Sequence, residues 1–503
     1  LFFLYTVSDL VKRLGIGAGI GIIVALLVGW GTYEIGFMKS LLDGYEFLSY
    51  DGRMRARTAG VEQMSIDDVV IIDIDNSSVA PPEEGGLGHY FDWPQAYHGR
   101  LINTVSSGNP SALLFDIIFD QENSFNYDLV NALISEKAPE REALADVTNQ
   151  FLVSNDPSMF LEATYNTQKT YHALVFEEED TLNFLDKMET EPEGYYFENH
   201  IIHGVSIEAK SKLPKADRIG NTYVDLLSAS VGAGSANFPQ DEDGVIRRSP
   251  TAIYFEGPDH VYPSLVMSAA IDILGIKKDG GFDYDFENQV LRLIDTTNTV
   301  VREIPIDEHG RMYVNYYGPF QTFYYLPYMY CFDPEMLPSE YWEGKVAFVG
   351  ASLPGLMDLR NTPVQETFAG VEIHANVMQS LLKGEFVQPK HRSETFVMII
   401  IICVVLGVVV SLPEKPLYTL PVPLVGVIAW ILFTYSQFFS SLIMWEIVRP
   451  SLAMMGTYGS IFLYNFLIVE KDKRFLKDTF GAYISPELID QMFDSKEEPS
   501  LGG

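Results

Sequence analysis

Long apolar stretches without charges restrict the folds that are open to this chain. The first, from Leu14 to Tyr33, has the twenty residues that an α-helix needs to cross a hydrocarbon core of roughly 30 Å. A signal peptide is the competing interpretation, but the stretch is long for one and no small-residue cleavage site follows it. Three comparable stretches lie near the C-terminal end. We therefore predict four transmembrane helices, at 14–36, 394–412, 417–436 and 446–469.

Basic residues indicate on which side of the membrane the ends of the chain lie. Lys12 and Arg13 precede the first predicted span, Lys415 lies in the turn after the second, and four basic residues follow the fourth within 471–477. Because Lys and Arg are retained on the cytoplasmic side, we expect a multi-pass protein with both termini in the cytoplasm. The predicted regions outside the bilayer are a cytoplasmic N-terminus at 1–13, an extracytoplasmic domain at 37–393 and a cytoplasmic linker at 470–503.

The charge of the chain argues against some partners. Most of the net charge of -34 belongs to the middle domain, between Phe37 and Ser393. An acidic surface of this kind repels nucleic acid and anionic lipid headgroups, so we predict no nucleic-acid partner. Solubility alone explains such a charge, and a cationic ligand is the alternative.

No catalytic or metal-binding pattern occurs in the sequence. The two cysteines, Cys331 and Cys403, show no metal-ligand spacing, and they lie in such different surroundings that we expect no disulfide. There is no Walker loop, nucleophile elbow or Cys/His cluster. We therefore predict no catalytic residue, no metal site and no cofactor within these 503 residues.

Apolar runs and helical patterns alternate in the middle domain. Residues 69–75, 111–119 and 345–350 are expected to be buried strands, and residues 94–106 and 370–383 have the pattern of helices. This alternation predicts an α/β fold with a largely parallel sheet. The acidic stretch at 135–199 has weak periodicity, and we interpret it as an excursion on the domain surface.

Polar residues at the ends of the predicted strands suggest a ligand site. Ligands bind at the carboxyl edge of open α/β sheets, and several polar or aromatic residues follow these strands. The alternative is that the carboxylates only cap turns, that His98 is structural and that Asp358 and Arg360 form an ion pair. The candidate ligand-binding residues are Asp73, Asp75, Trp93, His98, Asp116, Asp358 and Arg360.

Other residues have simpler interpretations. His374 is expected to be a core histidine, and Asp241 and Asp243 are expected to form a turn rather than a calcium loop. Glu446 and Arg449 are three residues apart and either pair with each other or relay movement of the domain.

Two patterns predict helix contacts within or next to the membrane. Gly15, Gly17, Gly19 and Gly21 form overlapping small-residue patterns, which predicts a helix face that packs closely against another span or a second subunit. The alternative is that a membrane helix simply tolerates these glycines. The predicted transducer and dimer helix has a heptad-like apolar stripe, formed by Val469, Leu476, Phe480 and Tyr483.

The middle domain resembles the second type of CHASE domain, an extracytoplasmic sensor of bacterial cyclases and kinases. The resemblance rests on blocks that span most of residues 65–390. Among them are Ile71–Asn76, Ala112–Asp120, Gly344–Ala351 and Gly370–Asn376. The three spans that follow the domain are also similar to the arrangement in that family. The resemblance implies a receptor in the bacterial inner (cytoplasmic) membrane, with its sensor domain periplasmic or extracellular and an unknown extracytoplasmic ligand.

The segment Phe480–Ile489 is similar to the lead into the catalytic domain of class III nucleotide cyclases. This resemblance implies a homodimeric adenylate cyclase that converts ATP to cyclic AMP with Mg or Mn, in a catalytic domain expected beyond Gly503. The alternatives are a sensor with a kinase output and a non-enzymatic membrane sensor or scaffold.

Overall fold

The structure, a computed structural model, describes residues 2–120, 156, 158–177, 198–333, 335–353, 359–413 and 416–469. The chain divides into two compact units. The first consists of residues 1–50 and 389–503, and the second of residues 51–388.

The described elements are numbered along the chain. The α-helices are α1 (Phe2–Leu26), α2 (Thr32–Glu34), α3 (Gly36–Thr58), α4 (Ala96–Ser106), α5 (Ser158–Thr167), α6 (Ile207–Lys212), α7 (Val224–Ala229), α8 (Leu265–Ile273), α9 (Gly370–Lys383), α10 (Arg392–Ser411), α11 (Pro421–Ser441) and α12 (Val448–Tyr464). The strands are β1 (Ile66–Ile74), β2 (Ala112–Phe115), β3 (Thr170–Glu177), β4 (Lys215–Ala216), β5 (Arg218–Asn221), β6 (Gly232–Ser235), β7 (Arg248–Pro250), β8 (Ala252–Phe255), β9 (His260–Pro263), β10 (Phe282–Asp285), β11 (Val290–Ile294), β12 (Val300–Pro305), β13 (Arg311–Tyr313), β14 (Phe323–Pro327), β15 (Val346–Ala351), β16 (Leu359–Arg360), β17 (Phe368–Ala369), β18 (Gln388–Pro389) and β19 (Ile443–Met444).

Three helical stretches of the first unit are long and apolar enough to cross a membrane, namely Leu10–Glu34, Arg392–Ser411 and Pro421–Ser441. They correspond to the first three predicted spans. The fourth prediction, at 446–469, is not supported in this way. Helix α12 has only 17 residues, which extend roughly 26 Å, and its second residue, Arg449, is a buried charge. Length and composition therefore identify three spans in the described residues, not four.

Glycines allow α1 and α10 to approach each other closely. A Cβ atom added at Gly21 would lie 2.4 Å from the carbonyl oxygen of Cys403, and one added at Gly17 would lie 2.3 Å from a backbone oxygen of α10. At Gly15 and Gly19 an added Cβ would meet nothing within 4 Å. The predicted packing of a small-residue face against another span is thus confirmed for Gly17 and Gly21.

The second unit is built around a mixed sheet of seven strands, in the order β14-β1-β15-β2-β3-β5, with β6 also paired to β3. The neighbours β14 and β1, β1 and β15, β15 and β2, β2 and β3, and β3 and β6 are parallel. Strand β5 pairs with β3 in the antiparallel direction. The predicted α/β fold is thus confirmed, and its sheet is partly parallel, with β5 as the antiparallel strand.

Strand β3 corrects the prediction of a surface excursion at 135–199. Its residues Thr170–Leu174 are all buried, and the strand pairs with β2, β5 and β6 inside the main sheet. Helix α5 precedes it. The excursion prediction was wrong here because a short buried strand beside long acidic runs leaves little periodicity to detect. The ranges 121–155 and 178–197 lie outside the described residues.

Helices cover both faces of the sheet, as a parallel sheet requires. On one face Val70 and Ile72 of β1 share a core with Leu101 of α4 and Phe160 of α5. The alternate residues of β1, such as Ile71, point to the opposite face, where α9 contacts β1 and β15. Side chains from different strands can therefore meet in the open only at the edges of the sheet.

A buried network of charges holds the turn at 241–244. Arg247 is 0% exposed and donates to both carboxylate oxygens of Asp51, each at 2.8 Å. It also donates to Asp241 at 3.1 Å and to Asp243 at 2.7 Å. The predicted turn is confirmed, since the amide of Gly244, at a φ of 79°, donates to the carbonyl of Asp241 at 2.8 Å. The two aspartates of this turn therefore pair with a buried arginine.

The close contact of α1 and α10 can be tested with Gly21→Leu. The leucine side chain has to displace the backbone of α10, and we expect a loss of about 1–3 kcal/mol in stability. The measurement is thermal unfolding of the whole protein in detergent. Gly19→Leu is the matched control, with an expected effect within about 0.5 kcal/mol. Equal losses for the two variants would contradict the described packing.

The charge network predicts that Arg247→Gln destabilises the second unit by about 3–5 kcal/mol, because it leaves three carboxylates without their buried partner. Arg292→Gln is the control, since Arg292 pairs with Asp283 and Asp285 on the surface, where its side chain is 29% exposed. We expect the control to lose at most about 1 kcal/mol in chemical denaturation. A neutral effect of Arg247→Gln would show that the network does not support the fold.

Candidate ligand-binding site

A cavity of about 630 Å³ lies at the carboxyl edge of the parallel strands. Its wall includes Ile74 at the end of β1, Ala351 at the end of β15, part of β3, and the residues that follow β2 and β6. Ligands bind at this edge in open α/β sheets because the loops that leave neighbouring strands separate there. The volume is in the range of small-molecule sites.

The wall is mostly apolar and carries a few polar side chains. Among the apolar residues are Ile117, Val175, Phe176, Phe238 and Ile253. The charged or amide side chains in the wall are Asp116, Glu177, Lys215, Asn237 and Arg360. Lys215 already pairs with Glu256 at 2.6 Å, and the amide of Asn237 bonds the backbone of Phe176 at 2.8 Å.

Asp116 and Arg360 are the two predicted site residues that line the cavity, and both lie near His374. The Nε2 atom of His374 is 3.6 Å from Oδ1 of Asp116. The imidazole lies against Phe238, with ring centroids 4.4 Å apart, and stacks on Phe348 at 6.3 Å. Burial, with the nearby charge of Arg360, lowers the pKa of His374 to about 3. The histidine is therefore neutral at physiological pH, and the carboxylate of Asp116 faces an uncharged ring.

His374 is buried, as predicted for a core histidine, but the sequence did not connect it with Asp116. The signal that could have linked them is the position of His374 in the first turns of a helix that follows a strand at the same sheet edge. Such a helix begins next to the loop after β2 because both elements start from that edge.

The beginning of α9 forms one side of the cavity. Gly370 and Val371 line it, and the N-cap residue Ala369 provides no side-chain hydrogen bond to the helix. The strand end comes very close here, since a Cβ added at Gly350 would lie 2.7 Å from Val371. Glu372 points elsewhere and accepts hydrogen bonds from the amides of residues 321 and 322.

Asp73 and Asp75 organise the edge without lining the cavity. Asp73 accepts hydrogen bonds from the amide of Ser352 at 2.7 Å and from its hydroxyl at 2.5 Å, which joins β1 to the loop after β15. Burial raises the pKa of Asp73 to about 6, against the opposing effect of these bonds. Asp75 accepts bonds from the hydroxyls of Ser77 and Ser78 in the turn that follows β1. Both carboxylates thus bond the loops that follow strands, which agrees with the alternative interpretation that they cap turns.

Trp93 and His98 lie in the hydrophobic core rather than in the cavity wall. The indole of Trp93 donates to the carbonyl of Gly88 at 2.8 Å. His98 bonds the hydroxyl of Tyr328 through Nδ1 at 2.8 Å, and burial lowers its pKa to about 3. His98 lies here because α4 turns this side toward the sheet, and Trp93, which precedes α4, packs into the same core.

The remaining predicted residues are only partly described. Asp358 lies outside the described residues, and so do Leu476, Phe480 and Tyr483. Val469 ends a helical turn, Asn465–Val469, that follows α12.

The family of the chain follows from comparison with known proteins. The family model of the CHASE2 domain matches residues 21–411, which is most of the chain. Comparison with curated proteins and with solved structures found no match. CHASE2 domains are extracellular sensors of signalling proteins, which agrees with a large α/β unit between apolar helices. The chain therefore belongs to the CHASE2 domain family.

Proposed function

We propose that this chain is the sensor and transmembrane part of a receptor adenylate cyclase that binds a small extracytoplasmic ligand in the cavity. The observation that carries the proposal is the position of the cavity, at the carboxyl edge of the parallel strands in a CHASE2 sensor domain. The resemblance of Phe480–Ile489 to the lead of class III cyclase domains supports the cyclase output.

The wall of the cavity favours a small amphipathic ligand. Val175 and Phe238 offer apolar contact, while Asp116 and Arg360 provide one charge of each sign. A ligand with an apolar body and a polar or zwitterionic end would satisfy both kinds of surface. Because a ligand of this size would touch loops from several strands and the first turn of α9, its binding would favour one arrangement of these elements over others.

The proposal includes a homodimer in a bacterial cytoplasmic membrane. The resemblance to class III cyclases implies catalytic domains that form dimers, with the active sites at the subunit interface. A change in two paired exit helices would therefore control assembly of the active site. A cyclase that acts in the cytoplasm requires a cytoplasmic linker at 470–503. For this, α12 and the turn Asn465–Val469 together would have to complete a membrane crossing. In that catalytic domain Mg or Mn would activate the ribose hydroxyl and hold the triphosphate.

The cyclase output is tested by cyclic nucleotide production. Membranes that contain the uninterrupted gene product are supplied with ATP or GTP and with Mg or Mn. We expect cyclic AMP from ATP, and we expect chelation of the metal with EDTA to abolish it. Deletion of residues 37–393 is expected to change the rate, because the sensor controls the output.

Three outcomes would contradict this part of the proposal. Cyclic GMP from GTP alone would exclude the adenylate cyclase. No cyclic nucleotide from protein that is present in the membrane would favour a kinase output or a non-enzymatic sensor. An unchanged rate after the deletion would show that the sensor does not control the catalytic domain.

The cavity is tested by filling it with Val175→Trp. Val175 is a half-buried strand residue in the wall, so the larger side chain occupies ligand space. We expect small molecules from a periplasmic extract to raise the unfolding temperature of the wild-type protein but not of this variant. Val290→Trp is the matched control, because Val290 is a half-buried strand residue outside the wall. An equal response of both variants would place the ligand elsewhere.

A further inference from the structure

The N-terminus of α12 is capped by a residue from a distant part of the chain. Its N-cap residue, Ile447, makes no side-chain hydrogen bond to the helix. Instead, the carboxylate of Glu46 in α3 accepts from the amides of Ile447 at 2.9 Å, Val448 at 2.6 Å and Arg449 at 3.3 Å. The first amides of a helix have no partner within the helix, and a carboxylate there also meets the positive end of the helix dipole.

A second carboxylate of α3 holds the first turn of α12. Arg449 is completely buried, and its guanidinium donates to Oδ1 of Asp43 at 2.7 Å. Asp43 and Glu46 are three residues apart, so they lie on the same face of α3. One face of α3 therefore binds both the backbone and the side chain at the start of α12.

Other groups complete the surroundings of Arg449. Its guanidinium lies 3.9 Å from the ring centroid of Tyr33 and 3.3 Å from Glu446, which confirms the predicted pair of Glu446 and Arg449. The hydroxyl of Tyr33 donates to Glu446 at 2.5 Å, and the hydroxyl of Thr32 accepts from Arg449 at 3.3 Å. Because this arginine is buried among fixed partners, it has little freedom to adopt another position.

Burial changes the acid–base behaviour of Glu46. Its pKa is raised to about 7, chiefly by burial and also by the charge of Glu446, while the three backbone amides oppose this rise. The carboxylate is thus held in place by the start of α12 although its surroundings disfavour its charge.

We propose that Asp43, Glu46 and Arg449 form a clamp that fixes α12 to α3, so that α3 sets the position of the helix that leads to the linker. α3 continues to Thr58, and its residues from Asp51 onward belong to the second unit. A movement of α3 would therefore reach α12 directly, without passing through α10 or α11. The inference goes beyond the proposed function, because it holds whichever output follows the linker.

The cap is tested by hydrogen exchange in the whole protein in detergent. In Glu46→Ala the amides of residues 447–449 lose their acceptor, and we expect them to exchange about tenfold faster, the factor that corresponds to a lost charge-assisted hydrogen bond. Glu34→Ala is the control, since Glu34 pairs with Arg392 at 2.8 Å on an exposed surface. Unchanged exchange in Glu46→Ala, or an equal increase in Glu34→Ala, would overturn the proposal.

The side-chain half of the clamp is tested by a double-mutant cycle with Asp43→Asn and Arg449→Gln. We expect the double variant to lower the unfolding temperature no further than Arg449→Gln alone, because both changes remove the same contact. Additive losses would overturn the clamp. If Arg449→Gln is not recovered from membranes, the clamp is tested instead by amide hydrogen exchange at residues 447–451 in Asp43→Asn. Unchanged exchange at these residues would also overturn the clamp.

Discussion

A parallel sheet has to be covered on both faces, and this constraint shapes the second unit, residues 51–388. Each crossover helix must return to the same edge, so the loops that leave the strands collect at the opposite, carboxyl edge. The cavity results from this arrangement, because β1, β2, β3, β6 and β15 all end beside it. The face covered by α4 and α5 is filled by core residues such as Ile72 and Phe160.

The sequence predicted the elements whose pattern is strong and local. The apolar runs that became β1 and β15, the helix α9 with Gly384 after it, and the turn at 241–244 follow from burial and backbone conformation alone. Strand β3 was missed because eight residues beside acidic runs leave almost no periodicity. The fourth span was predicted from apolar composition, which does not show where the regular helix begins and ends.

The candidate site could be predicted as a sheet edge but not as a set of side chains. Asp116 and Arg360 were placed correctly near that edge, whereas Trp93 and His98 were assigned to it only because they follow β1 in sequence. Which way α4 turns depends on the packing of residues from distant strands, and no local pattern carries that information. The same holds for Arg247, whose partner Asp51 lies 196 positions earlier in the chain.

The position of β1 in the sheet has a consequence for how the protein is made. This strand comes first in the chain among the described strands, yet its two neighbours, β14 and β15, are supplied by residues from Phe323 onward, about 250 positions later. Contacts between such distant segments form slowly, because a long loop must close before they are gained. During synthesis β1 therefore stays without its two neighbouring strands until nearly the whole unit has been made. Biogenesis of this sensor consequently depends on keeping an aggregation-prone strand apart from its neighbours until synthesis of the domain is almost complete.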